Sequence, residues 1–234
     1  MKRLIAALIW LATPAAAVEC ETLQFDGASF TACAVDAATE DLRLFHRDDE
    51  GQILGAFGEI PAPLEFGMNA GMYHDDRRAV GLYIEDGVET APLVTSAGPG
   101  NFGLLPNGVL CLTDDSARVI ESRTYAADPP ACRDATQSGP MLVIDGALHP
   151  RFLKNSDSLN IRNGVGTSAD GRRAVFVIAN EPVNFHHFAR LFRDRLELPN
   201  ALYLDGRVSR LFAPELGRND FGLPMGPMVG VVAD

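Results

Sequence analysis

Asp-Gly stands at five places in this chain of 234 residues, at 26, 86, 145, 170 and 205, beside or between short apolar runs. Both residues accept positive φ cheaply, so an Asp-Gly pair between alternating segments favours a tight hairpin turn. A chain punctuated in this way is expected to fold largely into short strands. Residues 22–35 read as a strand pair around Asp26-Gly27, 42–47 as a strand closed by the turn at 49–51, and 79–85 as a strand before Asp86-Gly87. The segment 101–111 reads as strand, Pro-Asn-Gly turn and strand, and 141–144 as a buried strand. The apolar run 173–179 has the pattern of a central strand. One helix is expected, over about 184–196, with Asn184 as its cap and Phe185, Phe188, Leu191, Phe192 and Leu196 on its buried face. After it, 201–204 reads as a strand leading to Asp205, and 222–232 as a closing edge strand.

Residues 1–17 begin with Lys2 and Arg3, continue through the apolar run 4–11 and end in Ala15, Ala16 and Ala17. This is the pattern of a secretory signal peptide, so the folded part is expected to be one domain over 18–234, secreted or periplasmic. No later run approaches 18 apolar residues, so no membrane insertion is expected after signal cleavage. The four cysteines remain in the exported part, where the oxidising compartment favours disulfides. Cys20 with Cys33 and Cys111 with Cys132 close the shortest loops; a zinc site is the alternative, but no C-x-x-C or C-x-H spacing is present. Twenty Lys and Arg against 31 Asp and Glu give a formal charge of -11, which becomes -13 once Lys2 and Arg3 leave. So acidic a chain is poorly suited to nucleic acid, and an anionic ligand needs a local cluster of positive charge.

Polar side chains gather in a few islands: Asn69, Thr136 to Ser138, residues 155–166, Asn180 and Asp205. Alone, N-S-D-S-L-N-I-R-N-G-V-G at 155–166 reads first as a polar turn, with Asn163-Gly164 as its bend. Together the islands supply amides and hydroxyls, Arg162, and the carboxylates Asp157 and Asp205. That set suits a sugar carrying a phosphate: amides and hydroxyls for the ring, Arg162 for the anion, Asp205 or Asp157 for proton transfer or for stabilising positive charge at the anomeric carbon. A serine hydrolase is disfavoured, because no G-x-S-x-G occurs and Ser138 has no histidine nearby in sequence. His74, Asp75 and Asp76 read as a solvated loop, since consecutive residues seldom converge on one ion, and His186 and His187 as solvated helix face. With no calcium-loop pattern visible, no metal and no cofactor are expected.

The runs A-T-Q-S-G-P-M-L-V-I-D-G (135–146), S-x-S-L-N-I-R-N-G-V-G (156–166), N-F-x-x-F-A-R-L-F-R-D (184–194) and N-A-L-Y-L-D-G (200–206) resemble the phosphodiester glycosidase family, as do N-A-G-M-Y (69–73) and N-F-G-L-L-P-N-G-V-L (101–110). The likeness spans Asn69 to the C-terminus, and residues 18–60 carry little of it. It implies a mixed domain with a large twisted sheet and a sugar-phosphate site. With the strand-rich pattern, the expected class is α+β, a single domain with a large, mostly antiparallel β-sheet and few helices.

Carried over by position, the resemblance implies Asp205, Arg162 and Asn163 as catalytic residues, with Asn69 and Ser138 binding substrate and Gln137, Asp157 and Asn180 as further candidates. The implied activity is hydrolysis of the anomeric bond of a sugar-1-phosphodiester, N-acetylglucosamine-1-phosphodiester being one example, in envelope or exopolysaccharide metabolism. The implied partner is a sugar-phosphate or polysaccharide substrate. Where this family is expected to read Asp-Gly-Gly, the chain has Asp205-Gly206-Arg207, which adds a cation beside the carboxylate. The alternatives are a non-catalytic carbohydrate- or exopolysaccharide-binding protein on the same scaffold, and a phosphodiesterase cutting on the alcohol side.

Overall fold

The turns decide the strand pattern. In a computed structural model describing residues 18–233, Asp26-Gly27, Asp86-Gly87 and Asp145-Gly146 all have both residues at positive φ. They join β1 (Glu19–Phe25) to β2 (Ala28–Asp36), β5 (Tyr83–Glu85) to β6 (Val88–Ala91), and β10 (Met141–Ile144) to β11 (Ala147–Leu148). These are the two-residue turns whose twist matches that of the strands they connect. Asp170-Gly171 closes a slightly longer loop between β12 (Asn163–Thr167) and β13 (Arg173–Ala179), where the Gly171 amide donates to the Ser168 carbonyl at 3.0 Å. The expected signal peptide, 1–17, lies outside the described residues.

The strands form three antiparallel sheets in one α+β domain. The first has the order β1-β2-β13-β12-β14-β10-β11, with β14 spanning Asn200–Tyr203. The second has the order β16-β15-β4-β17-β3, from β16 (Arg218–Asn219), β15 (Leu211–Ala213), β4 (Leu64–Asn69), β17 (Met228–Val232) and β3 (Asp41–Phe45). The third is β6-β5-β9-β7-β8, with β9 (Asp134–Ser138), β7 (Gly108–Leu112) and β8 (Ala117–Glu121). One large sheet was the expectation. Proline gives a physical reason for the division between the third sheet and the first: Pro140 has no N–H to continue a ladder, and the chain leaves β9 for β10 through Gly139-Pro140.

Strand β13 shows why its sequence is apolar throughout. Ala174, Phe176 and Ile178 enter the core between the sheets, while Val175, Val177 and Ala179 face the opposite layer. Phe176 meets Phe66 of the second sheet at a ring separation of 5.0 Å, and Leu110 and Leu112 bring in the third. The opposite layer is α2 (Phe185–Arg190), continued by a π-helical turn over Leu191–Arg195, whose Phe188 and Phe192 cover the first sheet. Asn184 caps this helix by accepting from the His187 amide at 2.8 Å. His187 is not on a freely solvated face as expected, because its ring packs against Phe25 and Phe30 and its Nε2 lies 3.1 Å from the Phe25 carbonyl oxygen. A second short helix, α1 (Ser122–Ala127), follows β8 and is capped by Glu121.

Two sequence readings are corrected. Asn163-Gly164 is not a bend: both residues lie in β12, and Gly164 is flanked by Val177 and Tyr203. Its glycine answers close packing, since a Cβ there would sit 2.7 Å from the Leu202 carbonyl oxygen. The C-terminal strand is not an edge, because β17 begins after Pro227 and pairs with both β3 and β4. Both expected disulfides are present, Cys20–Cys33 across the β1–β2 pair and Cys111–Cys132 from β7 to the segment that leads into β9. They close loops of 13 and 21 residues, for which the chain-entropy account gives about 3 kcal/mol each.

The second and third sheets also meet through Glu85. Its carboxylate accepts from the His46 amide and the Tyr83 hydroxyl, each at 3.2 Å. Burial, reinforced by Asp134 and Asp86, raises its pKa from 4.5 to about 7 despite those hydrogen bonds. The fold therefore binds a proton here more tightly than the unfolded chain does. This contribution to stability is complete below pH 4.5 and is lost as the pH rises through about 7. Thermal melts of Glu85→Gln against wild type should show the variant gaining relative stability across that window. A constant difference would assign the effect to another group.

Candidate active site

Strands from all three sheets end at one place. Asn69 is the last residue of β4, Ser138 the last of β9 and Asn163 the first of β12, while Asp205 follows β14 by two positions. All four are buried, and Asp205 is the most accessible at 8%. The Ser138 hydroxyl donates to the Leu204 carbonyl at 2.8 Å, and the Leu204 amide donates to the Asn163 carbonyl at 3.1 Å.

Backbone donors fix the side-chain amides here. The Asp205 N–H donates to Asn163 Oδ1 at 3.0 Å, so Asn163 must offer its nitrogen on the other side. That nitrogen donates to Asn69 Oδ1 at 2.6 Å, and the same oxygen accepts the Arg210 N–H at 3.0 Å. Asn69 Nδ2 is thereby left as a buried donor with no acceptor among the described residues.

Asp205 is held in a similarly defined way. Its Oδ1 accepts from the amides of Gly206 at 2.6 Å and Arg207 at 2.9 Å, a tight turn that aims the carboxylate out of the sheet. Burial raises its pKa above 3.8, opposed by the backbone amides of Arg207, Gly206 and Val208 and by the charge of Arg207. The carboxylate opens into a cleft of about 540 Å³. Arg77, Arg207, His74 and Asp75 supply its other charged or titratable groups, and Met72, Tyr73, Val208, Leu223 and Pro224 its more apolar wall. Burial together with the Asp205 charge raises the Tyr73 hydroxyl's pKa, while Arg210, Arg207 and Arg77 oppose the shift. Arg77 and Arg207 thus balance Asp75 and Asp205 within the cleft, in a chain whose formal charge is -11.

Arg162 is 1% exposed and is not among the residues lining the cleft. Its Nε donates to the Val183 carbonyl and its Nη2 to the Ser158 carbonyl, both at 2.8 Å. The guanidinium stacks on Phe185, with Cζ 3.6 Å from the ring centroid, and lies 5.6 Å from that of Tyr203. No carboxylate pairs with it among the described residues, and Nη1 has no acceptor. Burial lowers its pKa, opposed by the Tyr203 hydroxyl. Tyr203 connects Arg162 to the Asp205 turn: its hydroxyl oxygen occupies the space that a Cβ on Gly206 would need, 1.9 Å away. That contact explains the glycine after Asp205.

The remaining sequence candidates sit elsewhere. Gln137 is saturated within the protein: its Oε1 accepts from the amides of Leu82 and Val94, and its Nε2 donates to the Val94 carbonyl and the Ser122 hydroxyl. Asn180, at the end of β13, bonds Ser29, Thr31 and Arg218, and none of these bonds reaches Asp205. Asp157 is exposed on the loop before β12 and does not line the Asp205 cleft. Sequence reading passed over Tyr203, Tyr73 and Arg77. Of these, only Tyr203 carried a signal, since it precedes Asp205 by two residues in one extended run and alternation puts both on one side.

Comparison with known proteins follows the same lines. The sequence profile of the phosphodiester glycosidase family matches residues 62–222. The chain is 31% identical over 218 residues to the uncharacterized protein YigE of Escherichia coli (strain K12), an alignment covering 91% of this chain and 85% of that one. Among solved structures it is similar to the zebrafish N-acetylglucosamine-1-phosphodiester alpha-N-acetylglucosaminidase catalytic domain auto-inhibited by its pro-peptide. That match has a TM-score of 0.65 at 12% identity, covering 93% of this chain and 82% of the other. A hypothetical protein from Synechocystis gives a TM-score of 0.58 at 11% identity, covering 93% and 62%. At these identities the structural likeness concerns the fold.

The amide relay gives a direct test. Asn163→Ala strips the Asp205 N–H and Asn69 Oδ1 of a shared partner, and leaving buried polar groups unsatisfied costs about 1–3 kcal/mol. Urea unfolding should show a lower midpoint with an unchanged slope. A midpoint equal to wild type would mean that the relay carries no stability.

Proposed function

The chain belongs to the phosphodiester glycosidase family, and on that basis we propose that it is a secreted or periplasmic glycosidase hydrolysing the anomeric bond of a sugar-1-phosphodiester. N-acetylglucosamine-1-phosphodiester, the substrate in the zebrafish relative's name, is the first compound to test. Envelope or exopolysaccharide metabolism is the setting such a substrate suggests. The two disulfides agree with export, and no helix among the described residues is long and apolar enough to cross a membrane.

One observation carries the reading: a buried carboxylate opens into a cleft that also holds Arg77 and Arg207, in a protein where Asn69 and Arg162 each keep a buried donor without an acceptor among the described residues. Glycosidases commonly need two carboxyl groups, one of them to protonate a poor leaving group. A phosphate monoester leaves without that help, so one carboxylate suffices. Asp205, held by the Gly206 and Arg207 amides on Oδ1, stabilises positive charge at the anomeric carbon and takes a proton from the attacking water. Arg207 and Arg77 offer charge to the phosphate from within the cleft. Asn69 Nδ2 and Arg162 Nη1 are donors for substrate oxygens, because an unpaired buried donor gains most from meeting one. Asn163 and Ser138 hold the Asp205 segment in place.

Product analysis separates this reading from its alternatives. Free sugar plus phosphomonoester is expected; sugar-1-phosphate plus alcohol would indicate phosphodiesterase cleavage, and binding without turnover a carbohydrate-binding protein. Asp205→Asn should lower kcat by about 10²–10⁴-fold, the usual range for a positioned proton-transfer group. Asp157→Asn, on an exposed loop, should stay near wild type. Full activity in Asp205→Asn would remove this residue from the reaction.

A further inference from the structure

The cleft has two unlike kinds of lining. The Arg207 side chain is exposed and its guanidinium forms no hydrogen bond or ion pair among the described residues. Val208, Leu223 and Pro224 supply apolar surface, and the last two belong to the exposed stretch 221–224.

That segment is tied down on both flanks. The Asp220 amide donates to the Leu211 carbonyl at 3.0 Å, and Arg210 Nη2 donates to the Leu223 carbonyl. The Tyr73 hydroxyl donates to the Pro224 carbonyl at 3.0 Å, and the Met225 amide to the Gly55 carbonyl at 3.0 Å. Although its backbone is fixed, Phe221 is 95% exposed and Leu223 65%. Large apolar side chains held in water at the rim of a cleft are the usual mark of a surface that receives something apolar. The one acid there, Asp220, is already engaged by Arg218 and by the Leu211 amide.

We propose that the strap 220–225 seats the aglycone of the substrate, and that this aglycone is apolar: the substrate class is the glycosyl phosphodiester of a long-chain alcohol. The inference rests on the phosphodiester reading above and adds the leaving side of the molecule. The position of the strap selects this occupant. Leu223 lines the cleft and belongs to the strap, so a chain esterified to a phosphate in the cleft has Leu223 beside it and Phe221 next along the same exposed stretch.

The test uses the full chain and two esters of one sugar-1-phosphate, methyl and octyl, the octyl ester kept below its micelle concentration. Turnover and calorimetric binding are measured for wild type, Phe221→Ser and Leu223→Ser. Wild type should favour the octyl ester by roughly tenfold or more in KM and Kd, a modest return for several buried methylenes, and each variant should bring the octyl-to-methyl ratio towards one. Equal constants for the two esters in wild type overturn the proposal, and so does a preference that both variants retain. A dimer that Phe221→Ser dissolves, with both esters bound alike, overturns it in favour of a second copy on the strap. Strap-dependent octyl binding without turnover of either ester sinks the glycosidase reading and leaves the apolar surface standing.

Discussion

The orientation of one side-chain amide governs the region where the sheets end. Asn163 starts β12, receives the Asp205 N–H on its oxygen and donates its nitrogen to Asn69 of another sheet. Because Asn69 Oδ1 also takes the Arg210 N–H, both amides are fixed by backbone donors rather than by each other alone. Each group in this relay is buried, so an alternative orientation would set oxygen against oxygen or strand an amide hydrogen, at a cost far above thermal energy. The relay thus joins β4 of the second sheet to β12 and to the turn after β14 in the first. It also leaves Asn69 Nδ2 without an acceptor among the described residues.

Electrostatics around that point run against the character of the whole chain. The protein is strongly acidic, yet Arg77, Arg207 and Arg210 surround Asp205 and Tyr73. Arg162 is a different kind of cation, buried, stacked on Phe185 and held by two carbonyls with no carboxylate paired to it among the described residues. A buried guanidinium without a counter-ion lowers stability on its own account. Tyr203 couples it sterically to the Asp205 turn through the space left free by Gly206.

The repeated Asp-Gly pairs show how legible the fold was. Three of the five became two-residue hairpin turns with both residues at positive φ, and a fourth closes the β12–β13 loop. The fifth, Asp205-Gly206, is different: neither residue has positive φ, and its glycine makes room for the Tyr203 hydroxyl. Asn163-Gly164 looked the same on paper but lies inside a strand, since the glycine there answers the approach of Leu202 rather than a turn. The polar islands were equally alike in sequence. Gln137 and Asn180 part from Asn69 and Asn163 because partners 15 to 151 residues away consume their hydrogen-bonding capacity.

By itself, then, the sequence determined the antiparallel strand content, the central strand β13, the capped helix, the disulfide pairs and the family, because each rests on local pattern, short loop closure or long motifs. Only the tertiary structure decided that there are three sheets rather than one, that β17 is central, and that Asn69, Ser138, Asn163 and Asp205 meet while Gln137, Asp157 and Asn180 do not. The reason is physical: whether a buried polar side chain is spent on the fold or left free for a ligand depends on donors and acceptors far along the chain, and no local pattern records them.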